Sequence, residues 1–422
     1  MGNCLVLISS SYPFLTQENF LETELPFHTE HYEKIIILAI DVDPGAEKMR
    51  GIPRNTDAYN ISTRPQKLAR LGDVVKGAVR LPLKPDYLAD EKKYIGNDIR
   101  KRVFLEYFVE RSRRQYGECS RILDKYDFSK YDGVMIYSYW FFASAVIGSM
   151  LRDDIAKKCP RVKFISRAHG YDVYERANSL GYLPMREYLL RSVDAVFPCS
   201  VDGEKHISER FPQYKDKINH SYLGSFDNGL SSPSEDVFHI VSCSRFKRVK
   251  RVDRIVDSLA ALRGRTDKKL VWIHIGSGSE EAQIKKLAEE KLGFMRVEFT
   301  GEISNSQVYD YYKTHSVDLF VNTSSSEGVP VSVMEAISFG IPVIATDVGG
   351  VGEIIRDGTD GWLMDADFKD EELAGRILEV IGYDCGRIHD LRKNVRAFWE
   401  QHFDAERNYS EFADKLVGML EE

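Results

Sequence analysis

Residues 319–346 read LFVNTSSSEGVPVSVMEAISFGIPVIAT and contain the pattern that decides the fold. The apolar runs Leu319–Asn322 and Val343–Thr346 are each typical of a buried strand, and a helical pattern lies between them. Pro330 suits the first turn of that helix because its missing N–H group would have no partner there, and Gly340 suits the end of the helix. The segment therefore predicts a strand, a helix and a second strand of a parallel sheet.

The same alternation of short apolar runs and helical patterns extends along the chain in two series. The first series predicts strands at Leu5–Ile8, Ile35–Ile40, Val134–Tyr137, Lys163–Ser166 and Ala195–Pro198. The second series ends with the two strands above and predicts three more at Phe238–Cys243, Leu270–Ile275 and Val297–Thr300. Two such series predict an α/β protein of two Rossmann-like, doubly wound domains that face each other across a cleft.

The boundary between the two domains is expected near residue 230. Residues 224–234 are rich in Gly, Ser and Pro and poor in apolar side chains, which is typical of a linker. This predicts an N-terminal domain of residues 1–230 and a second domain of residues 231–395. The last stretch, about 396–422, is predicted to be helical because its apolar residues recur at helical spacing.

Composition excludes several classes of protein. The 422 residues include 43% hydrophobic and 29% charged residues, so a disordered or collagen-like chain does not fit. The net charge of -7 argues against a general nucleic-acid binder, which needs excess Lys and Arg. The six cysteines form no C-x-x-C pair and no zinc-type cluster with histidine. With no secretory signal visible, these features predict a reduced, cytoplasmic protein.

Two segments raise the question of membrane contact. Residues 133–151 lack charge over the length of a membrane span, but they divide into a strand-like half, 134–137, and a helix-like half, 141–151, so no transmembrane helix is predicted. Residues 97–125 carry eight basic and five acidic residues interleaved with aromatic ones. Two interpretations stay open for them: a solvated helix, or a helix that rests peripherally on anionic lipid.

Three clusters of candidate site residues follow predicted strands, where ligands of open α/β sheets bind. The loop and helix after Leu319–Asn322 offer free backbone N–H groups for an anion, framed by Glu327 and Glu335, whose carboxylates suit sugar hydroxyls. An anion site and acceptors for hydroxyl groups, taken together, predict a nucleotide sugar as the ligand. The alternative is a solvated helix with two exposed glutamates.

The second cluster is basic and follows the strand Phe238–Cys243: Arg245, Lys247, Arg248, Lys250 and Arg251. Opposite a diphosphate, Arg and Lys donors are most useful when negative charge grows on the leaving phosphate. Arg245 and Lys250 are the favoured pair, and the alternative is a basic helix face.

The third cluster contains His169, which follows the strand Lys163–Ser166 and offers a donor and an acceptor near a reacting sugar. Gly276 opens a Gly-rich turn and is placed with the donor-binding backbone, although Glu281 at the third glycine position of the fingerprint argues against a nicotinamide site. Asp41 and Asp43 could bind a divalent metal, but acidic residues at strand ends are common, so no metal site is predicted.

In this order the three clusters resemble the retaining glycosyltransferases of the GT-B fold, in particular glycosyltransferase family 4. The sequence EGVPVSVMEA from Glu327 to Ala336 resembles the paired-glutamate motif of that family. The resemblance implies that Arg245 and Lys250 hold the donor diphosphate and that Glu335 holds the ribose hydroxyls. It also implies that the C-terminal helix packs back on the first domain.

Further roles are implied by the same resemblance. Glu327 contacts the transferred sugar, together with the backbone of Gly328, Val329, Pro330 and Val331. His169 lies at the reacting face of that sugar, and the backbone around Ile303 meets the base. The loop after the first strand departs from the family, because Ser9–Phe14 replaces a Gly-Gly turn and leaves the acceptor contacts open.

Together with these observations, the resemblance implies a retaining, metal-independent glycosyltransferase of the hexosyltransferase type that needs no cofactor. Its donor would be a nucleotide-diphosphate sugar, with UDP as the expected nucleotide, and its acceptor a glycan or a polyprenyl-linked glycan of bacterial surface polysaccharide synthesis. The expected location is the cytoplasm, at or near the inner face of the membrane, with no nucleic-acid partner. The alternatives are a nucleotide-sugar epimerase on the same scaffold and a catalytically silent glycan-binding module.

Overall fold

Two parallel sheets form the framework of the chain. The computed structural model describes residues 2–15, 18–43, 45–61, 86–234 and 236–422. Its contacts divide the chain into two units, Met1–Tyr222 with Tyr409–Glu422, and Leu223–Asn408. Each unit contains a six-stranded sheet whose neighbouring strands all pair in parallel. This confirms the predicted α/β fold of two Rossmann-like, doubly wound domains.

The sheet of the first unit has the strand order β3-β2-β1-β4-β5-β6. Its strands are β1 Asn3–Ser9, β2 Tyr32–Ala39, β3 Thr56–Asn60, β4 Val134–Ser138, β5 Val162–Ala168 and β6 Ala195–Pro198. The helices described between them are α1 Asn19–His28, α2 Asp86–Ile95, α3 Ile99–Leu123, α4 Ala143–Ile155, α5 Gly170–Val173, α6 Arg186–Ser192 and α7 Val201–Arg210.

The sheet of the second unit has the order β12-β11-β10-β7-β8-β9. Its strands are β7 Val237–Cys243, β8 Lys269–Ile275, β9 Arg296–Gly301, β10 Leu319–Asn322, β11 Val343–Thr346 and β12 Gly361–Met364. The helices are α8 Val252–Ala260, α9 Glu281–Lys291, α10 Asn305–Thr314, α11 Val331–Ser338, α12 Asp370–Ile381 and α13 Cys385–His402. A last helix, α14 Ala405–Glu421, contains the unit boundary at Tyr409.

The apolar runs form central strands because both faces of each sheet are covered. Along β1, Val6 and Ile8 belong to one buried cluster while Leu5 and Leu7 belong to a second. Successive side chains of a strand point to opposite faces, so an unbroken apolar run is required where helices pack on both.

Two edge strands, β3 and β12, were missing from the sequence predictions. The sequence of β3 is TDAYN, of which only Thr56 is buried, and that of β12 is GWLM. Neither contains a long apolar run. The other two edge strands, β6 and β9, were predicted, so the edge position alone does not explain the omission.

The uncharged segment 133–151 forms β4 and most of α4, as its division into two halves predicted. Ile136 and Tyr137 of β4 and Ile147 of α4 are fully buried in the first unit. Within the described ranges, no helix has the length and apolarity that a membrane crossing requires.

The predicted linker is bound to the second unit by its backbone, so the boundary lies at Tyr222 rather than near residue 230. Ser225 exchanges backbone hydrogen bonds with Phe403 and Ala405, at 3.0 and 3.1 Å. Ser231 N–H donates to the carbonyl of Phe339 at 3.0 Å. Amino-acid composition indicates which segments bury apolar side chains. It does not reveal these contacts, because they are made by backbone peptide groups, which every residue has.

The C-terminal segment belongs to the first unit from Tyr409 onward, thirteen residues after the predicted start at 396. Phe412 and Leu416 are buried there, and the Arg167 guanidinium lies 4.0 Å from the centre of the Phe412 ring. Arg167 is itself fully buried and is paired with Glu24 at 3.1 Å. A buried charge is tolerated only when it is paired in this way.

Candidate functional site

The candidate site of the second unit lies at the carboxyl ends of β7 and β10, which are neighbours in the sheet. Strand order reverses between these two strands, and such switch points are where doubly wound sheets bind ligands. The loops after the two strands contact each other: Ser325 N–H donates to Val249 O at 2.8 Å, and Thr323 Oγ1 donates to Lys250 O at 3.2 Å. The two predicted clusters therefore form one continuous surface.

Lys250 and Glu327 form an ion pair at this surface. Lys250 Nζ donates to Glu327 Oε1 at 2.6 Å, and Asn322 Nδ2 lies 3.4 Å from the same oxygen. Their side chains are 24% and 9% exposed, so the pair is shielded but open on one side. An ammonium group at a switch point is suited to a phosphate, and a fixed carboxylate beside it is suited to a hydroxyl.

The other basic residues of the cluster divide into exposed and structural ones. The Arg245 side chain is exposed and makes no hydrogen bond or ion pair within the described ranges. Lys247 and Arg248 are also exposed. Arg251 instead donates to Thr323 O at 2.7 Å and to Ala366 O at 2.6 Å, so it fastens the loops together.

Glu335 lies on α11 and is 4% exposed. Asn305 Nδ2 donates to its Oε1 in a short hydrogen bond, and the Tyr309 hydroxyl lies 3.4 Å from the same oxygen. Burial raises the pKa of the Glu335 carboxyl to about 7, although both hydrogen bonds oppose that shift. A buried acceptor with a free oxygen is what a pair of sugar hydroxyls would require.

Asn305 and Tyr309 were missed by the sequence predictions. Both lie on α10, whose start is marked by a capping box between Ser304 and Gln307. That Ser-x-x-Gln signal, directly after β9, could have placed this helix and its first residues at the same edge of the sheet. Ile303, predicted to lie near the base, is half-buried and immediately precedes the cap.

The helix after β10 begins one residue later than predicted, since Pro330 is its N-cap and Val331 its first residue. No side chain of the described residues caps this end, so its first N–H groups remain available to an anion. Gly350 N–H donates to Gly328 O at 2.8 Å. Gly349 has φ 58°, and a Cβ there would come within 2.0 Å of Glu327 O, so only glycine allows this close packing.

Gly276 is required by packing between two loops. It has φ 139°, and a Cβ on it would lie 2.0 Å from Ser244 O, in the loop that leads to Arg245. Phe246 N–H also donates to Ser277 O at 3.0 Å. The turn after β8 therefore packs against the loop that carries Arg245, so Gly276 has a structural role.

Substituting Gly276 by alanine is expected to destabilise the second unit by about 3 kcal/mol or more, because backbone strain and a clash with a carbonyl oxygen add together. Gly264→Ala is the matched control, since Gly264 has φ 70° but no atom within 4 Å of an added Cβ. It should cost only about 1 kcal/mol. Thermal unfolding followed by circular dichroism tests both, and equal losses would contradict the close packing.

His169 lies in the first unit, after β5. Its Nε2 is 3.1 Å from Tyr139 O. A carbonyl oxygen only accepts, so Nε2 carries the proton and Nδ1 is left as an acceptor. Burial, together with the positive charge of Arg167, lowers the pKa of His169 to about 3, so the ring is neutral at physiological pH. The Asp172 carboxylate accepts from the N–H groups of His169 and Phe141, both at 2.5 Å, and holds this loop.

Asp41 is engaged within the first unit. Arg111 donates to it in a short hydrogen bond, and Ser10 Oγ lies 3.3 Å from its other oxygen. Over the ranges that the structure describes, no group of three or more His, Cys, Asp or Glu residues is arranged to hold a metal ion. All six cysteines are unpaired thiols.

The structure thus brings Lys250 and Glu327 into direct contact and places Glu335 and the turn at Gly328 on the same edge of the second sheet. Arg245 belongs to the same loop without contacting the pair. His169 belongs to the other unit.

Comparison with known proteins agrees with this architecture. Residues 231–398 match the family profile described as glycosyl transferases group 1. The UDP-N-acetylglucosamine--peptide N-acetylglucosaminyltransferase GtfA subunit of Streptococcus gordonii is 27% identical over 54% of this chain and 46% of its own length. The lipopolysaccharide core biosynthesis mannosyltransferase LpsB of Rhizobium meliloti is 29% identical over 46% of this chain and 58% of its own. The chain thus matches about half the length of these relatives.

The crystal structure of Anabaena Alr3699/HepE in complex with UDP is similar over the whole chain. It covers 99% of this chain and 100% of its own, with a TM-score of 0.67 and 18% sequence identity. At that identity the likeness concerns the fold alone. The chain therefore has the two-domain GT-B fold, and its residues 231–398 are similar to the glycosyl transferases group 1 family.

Proposed function

We propose that this protein is a retaining, metal-independent glycosyltransferase of the hexosyltransferase type, as in glycosyltransferase family 4, with a UDP-sugar as donor. The observation that carries the proposal is the Lys250–Glu327 ion pair at the switch point of a group 1 domain, followed on the next helix by the buried acceptor Glu335. A cation, a sugar-facing carboxylate and a ribose-facing carboxylate are the groups that a nucleotide-diphosphate sugar requires.

Each group has a chemical task in this proposal. Lys250 and Arg245 neutralise the diphosphate as negative charge grows on it, which makes a metal ion unnecessary. Glu335 accepts from the ribose hydroxyls, and Ile303 lies against the base. Glu327 and the uncapped start of α11 hold the transferred sugar and the phosphate.

The reaction proposed is a front-face displacement. The bond between the anomeric carbon and the phosphate oxygen breaks through an oxocarbenium-like state, and the acceptor oxygen bonds to the same face of that carbon. The acceptor proton passes to the departing phosphate, so the atoms balance and the anomeric configuration is retained. His169, neutral and with Nδ1 unprotonated, accepts from a sugar hydroxyl beside the reacting carbon.

We propose a glycan or polyprenyl-linked glycan of surface polysaccharide synthesis as the acceptor. Support comes from the lipopolysaccharide role in the name of the Rhizobium meliloti relative. A second support is the start of α3, where Ile99 and Val103 are 66% and 39% exposed beside Arg100 and Arg102. The rings of Phe104 and Phe108 of the same helix lie at 45° to each other with centres 6.3 Å apart, and Phe108 is buried in the core, so the lipid-facing residues would be Ile99 and Val103.

The first test is a thermal-shift panel of UDP, GDP, ADP and their sugars. A nucleotide at about 100 times its Kd should stabilise the protein by roughly 2.7 kcal/mol, and UDP is expected to give the largest shift. Transfer from the preferred donor should continue in EDTA, and NMR of the product should show the anomeric configuration of the donor. A response to GDP alone, loss of transfer in EDTA or inversion would each contradict one part of the proposal.

Incubation with the donor alone separates the alternatives. An epimerase would convert the donor sugar without an acceptor, and a silent glycan-binding module would leave it unchanged with or without one. The proposed transferase should consume the donor at a substantial rate only when an acceptor is present. The group 1 family match offers no support for epimerisation.

A further inference from the structure

The loop after β1 folds around a carboxylate of the same chain. The N–H groups of Ser10, Ser11 and Tyr12 all donate to the Glu18 carboxylate, at 2.8, 2.7 and 2.7 Å. Successive N–H groups that converge in this way form a concave site for an anion. Glu18 fills that site from the left-handed backbone region, at φ 61°.

The same carboxylate binds an aromatic residue of the neighbouring strand. Trp140 Nε1 donates to Glu18 Oε1 at 2.6 Å. Trp140 follows β4, which pairs with β1, so Glu18 joins the ends of the two central strands at the switch point of the first sheet. The Trp140 and His169 ring centres are 4.6 Å apart, and His169 is tied to Tyr139, the residue before the tryptophan.

The arrangement leaves part of the indole open while it fixes the plane of the ring. Trp140 is half-buried, and its only polar atom is used by the bond to Glu18. An aromatic face held in this way suits the C–H face of a sugar ring, which packs on aromatic surfaces without requiring a polar partner there. Its neighbour His169, which the proposed function places at the transferred sugar, brings this aromatic face close to the reacting carbon.

We propose that Glu18 is a positioning residue that holds Trp140 beside His169 as the surface on which the acceptor sugar stacks. This inference rests on the proposed transferase function and names the part of the molecule that recognises the acceptor. In the proposed function the donor diphosphate and ribose are bound by Lys250, Arg245 and Glu335. Loss of Glu18 should therefore weaken acceptor binding and leave donor binding unaffected.

The test removes the Glu18 carboxylate from the anion site and then supplies a free carboxylate in its place. Glu18→Ala is expected to raise the acceptor KM at least tenfold while the donor KM stays within twofold, and added formate, a carboxylate small enough for the vacated site, should restore the acceptor KM. Glu22→Ala is the matched control, since Glu22 is 57% exposed on α1, the helix that begins directly after Glu18. It should change neither constant and should not respond to formate.

A spectroscopic measurement reports the contact independently of turnover. Formate should shift the tryptophan emission of Glu18→Ala but not that of the double variant Glu18→Ala/Trp140→Phe. If Glu18→Ala does not fold, Trp140→Phe serves instead, because it breaks the same hydrogen bond and keeps the carboxylate in place. It should also raise the acceptor KM selectively.

A normal acceptor KM in Glu18→Ala, an equal rise in both KM values, or no effect of formate on KM and emission would overturn the proposal. If the wild-type protein transfers sugar to no acceptor while the emission response is seen, the proposed function and the acceptor role fail, and only the contact between Glu18 and Trp140 stands.

Discussion

Replacing Lys250 by alanine is expected to lower turnover on the order of 10² or more, because the departing diphosphate loses a charge that is already in position. Lys250 Nζ is held 2.6 Å from Glu327 at a surface that is only partly open to water, so bulk solvent replaces it poorly. Turnover is measured at saturating donor and acceptor. Lys247→Ala, an exposed lysine of the same loop, should leave the rate within twofold.

A double variant separates charge from folding. Lys250→Ala leaves the Glu327 carboxylate without its ion-pair partner, which should cost about 1 to 3 kcal/mol of stability. Adding Glu327→Gln should recover most of that stability without recovering activity. Arg245→Ala breaks no contact within the described ranges and should slow transfer with no change in stability. Near-normal turnover in Lys250→Ala or Arg245→Ala would exclude the assigned role of that residue.

The second large effect concerns Glu335, whose pKa of about 7 predicts pH-dependent donor binding. Only the ionised carboxylate accepts from both ribose hydroxyls, so the Kd for UDP is expected to rise about tenfold for each pH unit below 7. Glu335→Gln should bind UDP weakly and with no such pH dependence. Calorimetric titration between pH 5.5 and 8.5 measures both, and an equally flat wild-type profile would contradict the assignment.

The folding stability should change with pH in the direction opposite to donor binding, so it should fall as the pH rises. The folded protein binds a proton at Glu335 more tightly than the unfolded chain does, so the contribution of the neutral carboxyl is complete below pH 4.5 and is lost as the pH rises through 7. Above pH 7 an ionised, buried carboxylate opposes folding by on the order of 3 kcal/mol. Glu335→Gln is therefore expected to be more stable than the wild type at pH 8.

The control for that experiment is Glu289→Gln, which changes an exposed glutamate of the same unit. It should alter stability little at any pH. A Glu335→Gln variant that is less stable than the wild type at pH 8 would show that the carboxylate is well solvated in the folded protein. Stabilisation together with weaker donor binding is typical of a residue kept for function.

The central strands could be predicted from the sequence because parallel strands with both faces covered need unbroken apolar runs, as in LVLI of β1. The edge strands β3 and β12 lacked that pattern. The contacts divide the chain after Tyr222, before the boundary predicted near residue 230, because backbone hydrogen bonds of Ser225 and Ser231 attach a polar segment to the second unit.

The candidate site was partly predictable for a related reason. Carboxyl ends of parallel strands share one edge, so residues directly after strands, such as Lys250 and Glu327, could be assigned to that edge. Their direct contact, across 77 residues of sequence, depends on β7 lying next to β10. The spacing of residues along the sequence does not predict which strands are neighbours in the sheet.

The amino-acid sequence by itself determined the α/β class, the two series of parallel strands and the motif from Glu327 to Glu335, since these depend on local patterning of apolar, turn-forming and charged residues. Only the tertiary structure decided that Lys250 pairs with Glu327, that Asn305 binds Glu335 and that Glu18 binds Trp140. Each of these contacts joins segments that follow different strands. Strand order is set by the summed packing of helices on both faces of a sheet, and no single segment records it.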